Sequence, residues 1–248
     1  MALPFGLSGG ASAFLALAIL AAAFVRGYSG FGFAALVVSA TGLVTSPLHA
    51  VPVVIICDAL MTVQQVPGLW RRIDWRRVGW LTLGTLPGVP LGVAVLSGLG
   101  TDLVRAVIAG FVLLMCAGLW AGWSLPGRVG GAGHAGTGIL SGFANGAGVG
   151  GLPVAVFLAA QPVAADIFRA TLVAYFTLMD LWSLPVMARA GMIEADTSRA
   201  VLFALPLMVL GLRLGSRHFL RAEPAGFRRF AILLRAGLSL LGLVKSVI

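Results

Sequence analysis

The sequence predicts an all-α polytopic membrane protein of two inverted-topology repeats, each a glycine-broken helical hairpin plus three transmembrane helices. Three observations predict it. Of 248 residues, 59% are hydrophobic and 10% charged, with mean hydropathy +1.03. A soluble globule cannot be covered by so little polar surface, so lipid must solvate most of the chain. Two apolar regions are interrupted by glycine clusters, and the pattern around them recurs about 119 residues later. Basic residues crowd into connections that alternate between the two halves, as expected of copies inserted in opposite senses.

Apolar length with Gly, Pro and Arg punctuation sets the elements in order. A broken region at roughly 9 to 45 is interrupted by Gly27-Tyr28-Ser29-Gly30-Phe31-Gly32, and spans follow at roughly 47 to 69, 76 to 98 and 103 to 123. A second broken region, roughly 133 to 161, is interrupted by Asn145-Gly146-Ala147-Gly148-Val149-Gly150-Gly151, with spans following at roughly 165 to 188, 198 to 217 and 227 to 247. The six spans reach the roughly 20 residues that a crossing needs. Each broken region is expected to be a pair of short arms, re-entrant or sharply broken, buried in protein or facing water. No basic segment precedes the first apolar run, so it is expected to be mature structure rather than a signal peptide. Nothing is left for a soluble domain: 1–248 is one membrane domain, with 1–126 the first repeat and 127–248 the second.

The duplication pairs Gly30 with Gly148, Gly32 with Gly150, Pro67 with Pro185, Pro87 with Pro206 and Gly92 with Gly211, and Ala117-Gly118-Leu119 with Ala236-Gly237-Leu238. Charge orients the halves. Arg71, Arg72, Arg76 and Arg77 make one connection strongly basic, whereas its counterpart carries Arg189 and Arg199 against Glu194 and Asp196. In the next connection Asp102 and Arg105 cancel, while Arg213, Arg217, Arg221, Arg228 and Arg229 outweigh Glu223. Placing both basic connections in the cytoplasm of a bacterial inner membrane leaves both termini outside. Trp70, Trp75 and Trp80 suit an interfacial belt beside the arginines.

A helix break matters chemically because the second arm begins with unpaired N–H groups at the positive end of its dipole, a ready anion site. Inverted repeats bring two such breaks together near the midplane. Arg26, at the first break, is the expected anion attractor. Gly27, Ser29, Gly30, Gly32, Asn145, Gly146, Gly148, Gly150 and Gly151 form the breaks, and Gln64, Gln65, Thr171 and Tyr175 are candidate polar lining. Asp58 and Asp180 lie inside spans and are candidates for proton or charge coupling. Arg169 and Arg235 are read as snorkelling at least as readily as lining a site. Gly84-x-x-x-Gly88-x-x-x-Gly92 and Gly211-x-x-x-Gly215 are read as helix-packing faces. His49 is expected at the interface, and His134 and His218 in loops.

Other functions are disfavoured. The GxGxxG-like run at Gly146, Gly148 and Gly151 follows no soluble strand, which argues against dinucleotide binding. Cys57 and Cys116 lack metal-ligand spacing, and no catalytic or HExxH pattern occurs, so neither an enzyme, a metal nor a cofactor is expected. A net charge of +9 sits in clusters between apolar runs and implies topology rather than nucleic acid. The expected partners are a small anionic substrate and the lipid bilayer; a homodimer is compatible with the chain.

Gly27-x-x-Gly30-x-Gly32 and Gly142-x-x-x-Gly146-x-Gly148-x-Gly150-Gly151-x-Pro153 resemble the twin glycine-rich motifs of the TauE/SafE sulfite exporter family, also called the toluene sulfonate uptake permeases. Phe168-Arg169-Ala170-Thr171 resembles its basic-Ala-x-Thr feature. The resemblance implies a secondary transporter of small sulfur-containing anions: sulfite, thiosulfate, sulfoacetate or related organosulfonates. An anion channel and a non-transporting membrane scaffold subunit are the alternatives.

Overall fold

A computed structural model describes residues 4–120, 124, 125 and 129–221. Among them every regular element is helical: α1 Gly9–Ser29, α2 Phe33–Val44, α3 Pro47–Leu69, α4 Trp75–Ser97, α5 Thr101–Trp120, α6 Gly131–Asn145, α7 Gly151–Ala159, α8 Ala165–Arg189 and α9 Ala195–Arg221. Four described segments are long and apolar enough to cross a membrane, namely Gly9–Ser29, Trp75–Ser97, Ala165–Arg189 and Ala195–His218. The span expected at 227 to 247, with Arg228, Arg229 and Arg235, lies outside the described residues. Leu17, Leu83, Leu91, Leu114, Leu181 and Leu202 are exposed on the bundle's outside, where lipid tails would meet them.

The boundaries have local causes. Ser8 starts α1 by accepting the N–H of Ala11 through Oγ at 3.3 Å, and Asp74 starts α4 by accepting the N–H of Arg77 at 3.1 Å. Pro47 opens α3, where a missing N–H costs nothing. Trp70–Arg72 form a 3-10 turn between α3 and α4, and the rings of Trp70 and Trp75 meet there at 4.7 Å.

Three expectations are corrected. The first broken region does not consist of two short arms: α1 is 21 residues long, enough to span. Gly27 does not interrupt it, because a glycine inside a helix costs only about 1 kcal/mol; the helix ends at Gly30, where the backbone turns left-handed. His134 and His218 are not loop residues but lie on α6 and α9. Arg213 and Arg217 stand exposed on α9 near its end rather than in a connection.

Two seams hold the bundle together, and both are made by glycines. Along α4 and α6, a side-chain carbon on Gly84, Gly88 or Gly92 would overlap the carbonyl of Ala135, Ile139 or Phe143, respectively. On α9, Gly211 and Gly215 similarly admit the carbonyls of Leu20 and Phe24 of α1, and Gly27 admits that of Leu212. The partners rise together in number, so both pairs run parallel. The packing faces read from GxxxG spacing are therefore places where backbone meets backbone. Arg72 pairs with Asp166 at the start of α8, and Arg169, one turn on, donates to Ser216 Oγ near the end of α9 at 3.2 Å. The α3–α4 turn and the end of α9 thus share one end of the bundle.

Candidate anion site at the paired helix breaks

The first break is made by two glycines in the left-handed region, Gly30 at φ 85° and Gly32 at φ 96°. Residues with a Cβ avoid this conformation, so these glycines let the chain reverse within three residues. The Gly30 N–H closes α1 on the Arg26 carbonyl at 2.9 Å, and the first bond of α2 runs from Leu36 N–H to the Gly32 carbonyl at 3.1 Å. Phe33, Ala34 and Ala35 therefore start α2 with N–H groups that have no helical acceptor.

The second break follows Asn145. Gly148 has φ 71°, and a Cβ there would also crowd Val38 Cγ2 at 2.9 Å. The chain restarts at Gly151, with Pro153 in the first turn of α7. A buried relay props this break from behind. The Gly150 carbonyl can only accept, so Ser141 Oγ donates to it at 2.5 Å, Tyr175 donates to Ser141 at 2.8 Å, and Thr85 donates to Tyr175 at 2.7 Å. Asn145 Nδ2 donates to Ser183 Oγ at 2.9 Å.

Both breaks open on one cavity. Gly32, Phe33, Ala34 and Ala35 line it from the first, and Asn145, Gly148, Gly151 and Leu152 from the second. Val54, Ile55 and Asp58 of α3 and Phe176, Met179 and Asp180 of α8 complete the wall. About 20 Å3 of it can take the centre of a water molecule, room for one water, so the site is closed tightly in this conformation. Asp58 lies near the middle of α3 and Asp180 in the central part of α8, which puts the cavity deep within the bundle.

Arg26 stands beside it, fully buried. Its Nε donates to Asp58 Oδ1 at 2.7 Å, its Nη1 donates to the Gly30 carbonyl, and its guanidinium carbon lies 5.3 Å from the centre of the Phe176 ring. Nη2 is buried and has no partner among the described residues, and the same is true of Asp180 Oδ2. The Asp180 carboxyl faces that of Asp58 across this cluster. One cation, two carboxyl groups, an unused donor and an unused acceptor therefore meet where two helix N-termini point.

The structure gathers Gly32, Asn145, Gly148, Gly151, Asp58 and Asp180 on the cavity, with Arg26, Ser29, Gly30 and Gly150 behind it. Ser29 Oγ is used by its own turn, within 3.0 Å of the Phe31 carbonyl and 2.8 Å of the Val25 carbonyl. The other candidates stand elsewhere. Gly27 packs on α9, and Gly146 lies on the backbone of Gly92 of α4. Thr171 Oγ1 accepts the Asp74 N–H at 3.1 Å near the basic end, and Tyr175 belongs to the relay. Gln65 is buried but does not line the cavity, and the side chain of Gln64 lies outside the described residues. Arg169, read from sequence as a snorkelling residue, is instead buried: its Nη2 donates to the Gly27 carbonyl at 2.6 Å, and Gly30 sits against its stem. Phe176 and Met179 were missed as lining; Phe176 stands four residues before Asp180 and three before Met179, the spacing that puts it on one helix face with each of them.

Residues 15–241 match the family described as sulfite exporter TauE/SafE. The chain belongs to this family. It is also 30% identical over 226 residues, 86% of this chain and 87% of the relative, to a Cupriavidus necator protein described as a probable sulfite/organosulfonate exporter TauE. No solved structure matches. TauE/SafE proteins form a transporter family rather than an enzymatic one, and their multi-pass membrane character accords with the apolar helices of this chain.

Proposed function

We propose that this TauE/SafE chain exports a small sulfur-containing anion, sulfite or an organosulfonate, with thiosulfate and sulfoacetate in the same chemical class. The anion binds between the N-terminal ends of α2 and α7 beside Arg26, and alternating access moves it across the bacterial inner membrane. One observation carries the reading: the starts of two helices converge on one cavity next to a buried guanidinium with an unused donor. A sulfur oxyanion offers several acceptor oxygens to such a set.

The arrangement of two inverted repeats, 1–126 and 127–248, is supported by the seams. Each first arm docks on the second full helix of the other half, α1 on α9 and α6 on α4, through equivalent glycine rows. With both basic clusters in the cytoplasm, the two termini face outward. Asp58 and Asp180 supply the coupling: an arriving anion competes with Asp58 for Arg26, and the carboxyl pair then takes up or gives up a proton so that the cluster's charge stays balanced.

Thermal stabilisation of the purified protein tests the reading. An anion at a hundred times its dissociation constant adds about 2.7 kcal/mol to the folded state. Sulfite and sulfonates are expected to stabilise where chloride and small carboxylates do not, and Arg26→Ala is expected to abolish that selectivity. In proteoliposomes sulfite flux should saturate and show counterflow. Stabilisation by none of the sulfur anions, or unsaturable flux, would refute the proposal.

A further inference from the structure

A second space opens at the basic end of the bundle, where the first turns of α4 meet the start of α6 and the end of α7. It encloses about 1160 Å3 of empty space with its open mouth counted, and Asp74, Arg76, Arg77, Trp80, His134 and Gln161 face it. The nine residues of α7 run from the central cavity to this end, a separation of about 13 Å at the rise of an α-helix.

His134 is the observation that calls for a ligand. It is 4% exposed, and its Nδ1 lies 2.9 Å from the Gly130 carbonyl, which only accepts, so Nδ1 carries a hydrogen. Nε2 is buried and has no partner among the described residues. Leaving such an atom unpaired is costly, and an apolar ring would pack against Phe157 as well. Beside it the charges are uneven. Arg77 is held by Asp74 at 2.8 Å and reaches Gln161 Oε1 at 3.4 Å, whereas Arg76 is exposed and, among the described residues, forms no salt bridge. Trp80 packs on the backbone of Gly131 at the rim, with Trp75 and Trp70 beyond it, all at least 42% exposed. Exposed tryptophans beside arginines mark the headgroup level of a bilayer.

We propose that this space binds the phosphate or sulfonate head of an anion, held by Arg76 and by His134 Nε2, which carries a proton while the anion is bound. A guanidinium fork and a ring N–H suit an oxyanion of this kind. Asp74 stays committed to Arg77, and no other acidic side chain lines the space among the described residues. The head comes from an anionic phospholipid in the leaflet or from a free oxyanion in the water, and either way the site stands apart from the central one.

Delipidated protein in detergent separates the sources. Native mass spectrometry would follow retention of phosphatidylglycerol against phosphatidylcholine, and calorimetry would follow sodium sulfite and inorganic phosphate, in an Arg26→Ala background that silences the central cavity. Either phosphatidylglycerol or a free oxyanion is expected to bind, and Arg76→Glu and His134→Phe are each expected to weaken it at least tenfold. Loss confined to the lipid assigns a headgroup site, and loss confined to the free anions assigns a vestibule for them. Arg76 is exposed, so its variant tests the site without adding to what the Arg26→Ala background costs the fold. Equal retention of both lipids with no oxyanion binding, or a loss with Arg76→Glu that His134→Phe does not share, would overturn the proposal.

Discussion

Replacing Asp58 by Asn removes one negative charge from a pair whose side chains are 1% and 11% exposed. Breaking a buried pair by removing one partner costs about 3–5 kcal/mol, because the remaining charge keeps its desolvation penalty. Here the loss belongs at the lower end, about 3 kcal/mol, since Asn still accepts from Nε and Arg26 keeps the Gly30 carbonyl and the Phe176 ring. At roughly 2–4 °C per kcal/mol for a chain of this size, the melting temperature should fall by about 6–12 °C. A thermal melt in detergent measures this directly, and a cycle with Arg26→Gln isolates the pair. The double variant should be about 2 kcal/mol more stable than the two single losses predict. Simple additivity, or an unchanged melting temperature for Asp58→Asn, would refute the view that these groups stabilise each other.

Gly84→Ala should destabilise the fold strongly by forcing α4 off α6, whereas Gly110→Ala, which meets nothing within 4 Å, should be neutral or slightly stabilising in the same melt. Tyr175→Phe interrupts the relay to the Gly150 carbonyl and should cost about 1–3 kcal/mol, with anion affinity falling alongside as the second break loosens. Asp180→Asn should leave anion-induced stabilisation in place while removing the dependence of sulfite flux on a proton gradient, read by a pH dye in proteoliposomes.

Most element boundaries were legible because membrane helices obey short-range rules. The expected start at residue 47 falls on Pro47, and the first glycine cluster ends α1 at the left-handed Gly30. What sequence could not show was distance between elements. Asp58 and Asp180 are each conspicuous as charges in apolar helices, yet only the packing of α3 against α8 reveals that they share one arginine. Thr171 and Tyr175 share one face of α8, yet the one-turn rise between them sets one against the α4 cap and the other in the relay. Glycine was the most ambiguous letter: Gly27 and Gly148 belong to similar clusters, and only the backbone separates a packing glycine from a turning one.

The glycine seams also set what can move. Where carbonyl groups of one helix occupy the space that a methyl would take on its neighbour, no side chain remains to re-rotate, and sliding by part of a turn drives backbone into backbone. The pairs α4–α6 and α1–α9 therefore behave as stiff double beams, and any stroke that opens the cavity must be taken up at contacts padded by side chains, such as α3 against α8. Spin labels across a seam should keep one spacing throughout the transport cycle, while labels placed between beams should report the stroke.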